Sequence, residues 1–80
     1  MENKVDIFHL VWVIIRDCYA PSMTAPAAAR YAVSELTKWG HEAVIMGGSR
    51  ARSLMVDGEL FEIKKYKGWS HFELIQHGIR

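Results

Sequence analysis

Residues 24–40 constrain the fold most, because the beginning, the periodicity and the end of this segment all indicate one amphipathic helix. Thr24 can cap the first turn, Pro26 is tolerated in that turn, and Gly40 can adopt the left-handed conformation that ends a helix. At about 100° per residue, one side of the helix is apolar: Ala25, Ala28, Ala29, Ala32, Val33, Leu36 and Trp39. We expect this side to pack on the rest of the domain, with Leu36 and Trp39 at its deeper end.

The run before this helix, residues 5–16, is rich in β-branched and aromatic side chains and contains no Gly or Pro. This composition predicts a long first strand. Alternate positions of such a strand give two apolar faces, one of which carries Phe8, Leu10, Trp12 and Ile14. One helix covers only one face of a sheet, so the sequence predicts apolar surface that another element or a partner must cover.

A short apolar run ended by Gly47 and Gly48 predicts a second strand directly after the helix. If this strand is parallel to the first, the three elements form a β-α-β unit with a right-handed crossover.

Asp57-Gly58 predicts a two-residue hairpin turn, because apolar residues flank it on both sides. The register follows from the turn: Val56 pairs with Glu59, Met55 with Leu60, and Leu54 with Phe61. We therefore expect Leu54, Phe61 and Ile63 to share one face of the sheet, with Met55 and Leu60 on the other.

The last segment predicts a short C-terminal helix, because Ser70 and Glu73 have the spacing of a capping box and Gly78 can end the helix. Trp69 can also pack on Leu74 across the first turn. The chain is therefore predicted to form a single α+β domain over residues 1–80. Its order is β-α-β-β-β-α, in two layers, with a four-stranded sheet packed against the long helix and the short helix.

Charge and length exclude several classes of function. Ten Lys and Arg against nine Asp and Glu give a net charge of +1, so no overall field draws the chain to nucleic acid or to an anionic membrane. The apolar run over residues 7–15 is shorter than the about 20 residues of a transmembrane helix. The single cysteine, Cys18, forms no internal disulfide and fits a reducing compartment. We expect a cytoplasmic protein with no membrane partner.

No catalytic motif is evident in the sequence. The histidines lack metal-ligand spacing, so we expect neither a metal nor another cofactor. A His9 and Cys18 nucleophile pair stays open as an alternative, which would make the chain a small enzyme or toxin. Residues 47–52, with Arg50 and Arg52, are either an anion-binding loop or a polar hairpin connection, and the second is favoured because no known phosphate-loop spacing is present.

Residues 64–69 combine three lysines with two aromatic side chains, in the mixture that single-stranded nucleic acid prefers. Lysines at such a position also protect an exposed edge strand from aggregation, and the low net charge favours this second interpretation. We predict that the partner is a protein or a ribonucleoprotein, with self-association through an apolar sheet face and nucleic-acid binding as alternatives. The predicted partner-binding residues are Tyr31, Arg50, Arg52, Met55, Lys64, Lys65, Tyr66, Lys67 and Trp69.

Residues 27–48 carry one resemblance, at these positions: Ala27, Ala28, Ala29, Ala32, Trp39, Gly40, Val44, Ile45 and Gly47. The alanine-rich helix, the Trp-Gly end and the following Val-Ile strand resemble small phage-encoded anti-CRISPR proteins that inhibit type I-F surveillance complexes. The Asp57-Gly58 hairpin has no counterpart in that comparison. The resemblance implies a non-enzymatic inhibitor that binds a host protein or ribonucleoprotein and blocks its DNA recognition. These proteins share no catalytic motif, so no site residue is carried over.

Overall fold

The computed structural model describes residues 6–18, 23–48, 50–65 and 72–79. The elements in these residues are α1 (Ile7–Arg16), α2 (Ala25–Lys38), β1 (Ala43–Met46), β2 (Ser53–Val56), β3 (Glu59–Lys64) and β4 (Glu73–Ile79). The strands form one antiparallel sheet in the order β1-β2-β3-β4. A small α+β domain with a four-stranded sheet is therefore confirmed, but the predicted order of elements is wrong.

The predicted first strand is wrong, because residues 7–16 form helix α1. Asp6 caps this helix, and its carboxylate accepts a hydrogen bond from the His9 N–H at 3.3 Å. The buried residues Val11, Ile14 and Ile15 recur at helical spacing. Apolar residues also occupy most other positions of the run, so the helical period is hidden in a continuous apolar segment.

Helix α2 is confirmed with the ends that the sequence predicts. The Thr24 hydroxyl accepts a hydrogen bond from the Ala27 N–H at 3.2 Å. Gly40 has φ +89°, and the His41 N–H donates to the Leu36 carbonyl at 2.9 Å, as in a Schellman motif. The apolar side is buried as predicted at Ala25, Ala28, Ala29, Ala32 and Leu36.

The prediction that Trp39 packs in the core is wrong. Its side chain is 54% exposed, because α2 ends at Lys38 and Trp39 is the C-cap residue. The helical period that places Trp39 on the apolar side of α2 no longer applies where the helix stops.

Strand β1 follows α2 as predicted, but the β-α-β unit with a parallel crossover is wrong. The element before α2 is a helix, and among the described strands β1 pairs only with β2, in antiparallel orientation. β1 therefore lies at one edge of the sheet.

The β2–β3 hairpin is confirmed in the predicted register, with Val56 opposite Glu59 and Leu54 opposite Phe61. Asp57 and Gly58 have φ 49° and 86°, the left-handed pair that a type I′ turn requires. Leu54, Phe61 and Ile63 lie on one face and are fully buried.

The predicted C-terminal helix is wrong, because residues 73–79 form strand β4. The proposed cap and staple residues Trp69 and Ser70 lie outside the described residues. Leu74 of β4 and Phe72, directly before the strand, are both buried, on the covered side of the sheet. The register with β3 shifts between Leu60 and Phe61, so that β4 contains one extra residue at this point.

The core lies between the two helices and one face of the sheet, here called the inner face. The strand residues on the inner face that form or border this core are Ala43, Ile45, Leu54, Val56, Phe61, Ile63 and Leu74. Helix α2 contacts β1, β2 and β3, while α1 contacts α2 and β4. The buried alanines of α2 allow the helix to approach the sheet closely, and the rings of Phe8 and Phe61 lie 6.2 Å apart between their centroids.

Candidate interaction surface

The other face of the sheet, here called the outer face, points away from both helices. The side chains assigned to it by strand alternation and register are Val44, Met46, Ser53, Met55, Leu60, Glu62, Lys64, Glu73, Ile75 and His77. In the part of the chain that the structure describes, both helices pack on the inner face, so the outer face remains open.

An apolar row crosses the first three strands on the outer face. The register places Val44 opposite Met55, and Met55 opposite Leu60. Directly opposed side chains of antiparallel strands have Cβ atoms about 4.5–5.5 Å apart, so these three side chains form a continuous contact. Val44 is 51% exposed, and Met46 beside it is also exposed. Met55 and Leu60 are half-buried, so the row is a partly exposed apolar surface, and apolar surface patches can mark a partner-binding site.

A mixed charge cluster lies beside the apolar row. The Nε2 atom of His77 is 2.7 Å from a carboxylate oxygen of Glu62, and the guanidinium of Arg52 is 3.8 Å from the other. The hydrogen bond from His77, assisted by the charges of Lys64, His77 and Arg52, holds the pKa of Glu62 below its ordinary value. The outer face therefore presents a charged carboxylate among cations.

The structure brings three of the predicted partner-binding residues to this region. Met55 is the centre of the apolar row, and Arg52 approaches Glu62. Lys64 lies on the outer face opposite Glu73. β3 is a central strand, so the interpretation of Lys64 as protection of an edge strand is wrong.

The other predicted residues lie elsewhere. Tyr31 is exposed on α2, in the helical layer. Arg50 is exposed in the connection between β1 and β2, which confirms this segment as a hairpin connection. The ammonium of Lys65 donates a hydrogen bond to the Met23 carbonyl at 3.1 Å. Tyr66, Lys67 and Trp69 lie outside the described residues.

Sequence reasoning missed Val44, Met46, Leu60, Glu62 and His77 as members of the surface. The Asp57-Gly58 turn places Met55 and Leu60 side by side. It does not determine the pairing of β1 with β2, which adds Val44 to the same row.

The turn that positions β2 and β3 is also tied to the residues before β1. The Asp57 carboxylate accepts a hydrogen bond from the Glu42 N–H at 2.9 Å, and His41 Nδ1 lies 2.7 Å from its second oxygen. The hydrogen bond from His41 is the main cause that lowers the pKa of Asp57, and that from Glu42 is the next. These bonds hold β1 in register with the hairpin.

A second exposed feature lies on α1. The imidazole of His9 stacks beside Trp12 with ring centroids 6.1 Å apart, and the Arg16 guanidinium lies 5.2 Å from the Trp12 ring centroid. The three residues are at helical spacing on one side of α1, so this stack belongs to the helical layer and not to the outer face.

The structure does not bring His9 and Cys18 together as a nucleophile and base. His9 is exposed, whereas Cys18 is buried with its thiol 3.8 Å from the Ile14 carbonyl. Burial raises the pKa of the Cys18 thiol, which leaves it a poor nucleophile. In the described residues, no group of three or more His, Cys, Asp or Glu is placed to hold a metal ion.

None of the helices in the described residues combines the length and the apolar character that crossing a membrane requires. Comparison of the chain with protein-family models, with curated proteins and with solved structures finds no match in any of the three.

Proposed function

We propose that this protein is a non-catalytic interaction module that binds another protein through the outer face of its sheet. The open apolar row of Val44, Met55 and Leu60 carries this proposal. Burial of apolar surface contributes about 25 cal/mol per Å². In the part of the chain that the structure describes, both helices lie on the inner face, so a partner on the outer face would supply this burial.

The charges beside the row favour a protein partner over a nucleic acid. The cation of Arg52 lies near Glu62, Lys64 lies opposite Glu73, and Lys65 is engaged by the Met23 carbonyl. Nucleic-acid binding draws its affinity from cations that neutralise phosphates. A row of apolar side chains beside both signs of charge instead matches the apolar centre and polar rim of a protein interface.

The narrower proposal is that the partner is a bacterial defence complex of the CRISPR type, whose DNA recognition the protein blocks in the host cytoplasm. The resemblance of residues 27–48 to type I-F inhibitors supports it. Of the matching positions, Val44 lies in the apolar row and Gly40 provides the turn between α2 and β1. The partner would then be a protein subunit of that complex, with an apolar patch that the outer face covers.

Two variants that each add one positive charge test the proposed surface. Met55→Lys places the charge in the centre of the row, and Thr37→Lys places it on the exposed side of α2. Immobilised wild type and both variants are incubated with bacterial lysate, with and without nuclease, and circular dichroism checks that each variant is folded. We expect the wild type and Thr37→Lys to retain the same protein after nuclease treatment, and Met55→Lys to lose it.

Three results contradict the proposal. Loss of all bound material on nuclease treatment indicates nucleic acid as the partner, and equal retention by a folded Met55→Lys places the interface elsewhere. Equal loss by Thr37→Lys shows that charge alone reduces binding. The narrower proposal has its own test, in which purified type I-F complex is mixed with its target DNA: the wild type should abolish the DNA mobility shift, and an unchanged shift excludes this partner.

A further inference from the structure

Strand β1 presents an open backbone edge. The Asp57 N–H donates to the Glu42 carbonyl at 2.8 Å, so the backbone of Glu42 points toward β2. Hydrogen-bonding direction alternates along an antiparallel strand, so Val44 also points toward β2, while Ala43 and Ile45 point away from the sheet. In the part of the chain that the structure describes, the outward N–H and C=O groups of these two residues have no hydrogen-bond partner.

The composition of β1 does not protect this edge. Residues 43–46 are Ala-Val-Ile-Met, with no charge, no proline and no bulge. The opposite edge strand, β4, carries exposed Glu73, Gln76 and His77 and has a register shift. Charged side chains and bulges are the usual means by which sheets prevent edge-to-edge pairing. β4 has both of these features and β1 has neither. Only the short length of β1 limits its pairing with another strand.

We propose that β1 pairs with β1 of a second copy in antiparallel orientation, around a twofold axis that passes through Val44. In this register Ala43 lies opposite Ile45 of the second copy, and Ile45 opposite the second copy's Ala43. Both are hydrogen-bonded pairs, so the four outward N–H and four outward C=O groups of the two copies satisfy one another in four hydrogen bonds.

The same register matches the side chains. Val44 meets its own counterpart on the outer face, so the row of Val44, Met55 and Leu60 continues into the second copy and doubles in length. Glu42 lies opposite the second copy's Met46, so no like charges meet across the axis. The two sheets form one continuous sheet with all helices on one face.

The size of the contact determines its strength. A strand of four residues spans about 13 Å and buries less than the about 800 Å² per partner of a standard interface. The dimer is therefore weak and concentration-dependent. The dimer can be tested independently of the proposed function, because dimer formation is measured on purified protein with no other partner present.

Cysteine substitutions at two positions of β1 test the register. The Cα atoms of a non-hydrogen-bonded antiparallel pair lie about 4.5 Å apart, within disulfide range. Val44→Cys places two thiols at the axis, whereas Met46→Cys places them about 13 Å apart. With a mild thiol oxidant, we expect Val44→Cys to form a covalent dimer at least about tenfold faster than Met46→Cys. The buried Cys18 is present in both variants.

Equal rates for the two variants indicate random collision and overturn the proposal, and faster crosslinking of Met46→Cys overturns the register. Sedimentation equilibrium provides a second measurement without crosslinking. Val44→Lys brings two like charges together at the axis, and we expect the dimer dissociation constant to rise more than about tenfold. Met46→Lys places its charge opposite Glu42 of the second copy and should leave the constant unchanged or lower. Wild type that remains monomeric at about millimolar concentration contradicts the proposal.

Discussion

The two faces of strand β3 differ in burial, although both carry apolar residues. Phe61 and Ile63 point to the inner face and are fully buried, while Leu60, between Phe61 and the turn, points to the outer face and is only partly buried. The inner residues belong to the core beneath the two helices, whereas Leu60 lies outside that core and pairs with Met55 on the neighbouring strand. Apolar character alone therefore does not identify the core of this domain. The inner residues hold the fold together, and the outer ones are available to bind a partner.

The largest effect is expected from a pair of alanine substitutions at adjacent positions, which tests the difference in burial between the two faces. Phe61→Ala removes a fully buried ring from the core and should lower the free energy of unfolding by about 3–5 kcal/mol. Leu60→Ala removes a partly exposed side chain and should lower it by less than about 1 kcal/mol. Urea denaturation followed by circular dichroism measures both. Equal losses would show that the outer face is packed as tightly as the inner one.

Overfilling the contact between α2 and the sheet tests the inner face from the helix side. Ala29 is fully buried, so Ala29→Leu should lower the free energy of unfolding by about 1–3 kcal/mol. Ala27 is partly exposed on the same helix, and Ala27→Leu is the matched control, with a change within about 0.5 kcal/mol. Thermal or urea unfolding measures the difference. Tolerance of Leu at position 29 would contradict close packing of α2 on the sheet.

The Asp57 turn determines which residues reach which face, because a slip of one residue would exchange the two faces. Asp57→Asn keeps a turn-forming residue but loses the carboxylate, and should lower the free energy of unfolding at pH 7 by about 0.5–1.5 kcal/mol.

The stability contributed by the Asp57 carboxylate should depend on pH. Its pKa in the folded protein lies below the ordinary value of 3.8, so the contribution is present above that value and is lost as the pH falls through the lowered pKa. The difference between wild type and Asp57→Asn should therefore shrink from about pH 5 to about pH 2. Urea denaturation across this range measures it, and a difference that is constant with pH would show that the carboxylate charge is not involved.

The smallest expected effect concerns the charge cluster on the outer face. His77→Ala removes the main hydrogen bond that lowers the pKa of Glu62, so this pKa should rise toward its ordinary value of 4.5. NMR titration of the Glu62 carboxyl carbon measures the change. The matched control is Gln76→Ala, on the next residue of β4, whose side chain donates to Glu59. An equal rise in the control would attribute the effect to distortion of β4.

Local signals predicted the parts of the fold that are complete within a short segment. Helix α2 has its cap, its apolar period and its Gly40 end within one stretch, and the hairpin register follows from Asp57-Gly58 alone. Helix α1 was missed because its apolar residues surround the helix and hide the period of 3.6, while Asp6 at the N-cap is its main local start signal. β4 was missed because the Ser70 and Glu73 spacing matches a helix cap.

The candidate surface was predictable only in part for the same reason. Met55 and Lys64 belong to the hairpin, whose faces could be written from the turn. Val44 joins them through a pairing of β1 with β2 across the connection of residues 47–52, and no turn type in that segment specifies the pairing. His77 reaches Glu62 through a strand that the sequence did not predict.

The contact of α1 with β4 joins two elements that lie far apart in the sequence. During synthesis α1 is made before β4, so this contact forms only after the residues between them have been made. Before β4 is made, α1 can already pack on α2 and, through Phe8, on Phe61 of β3. The part of its apolar surface that β4 covers stays exposed, so a chain truncated before β4 should be prone to aggregation.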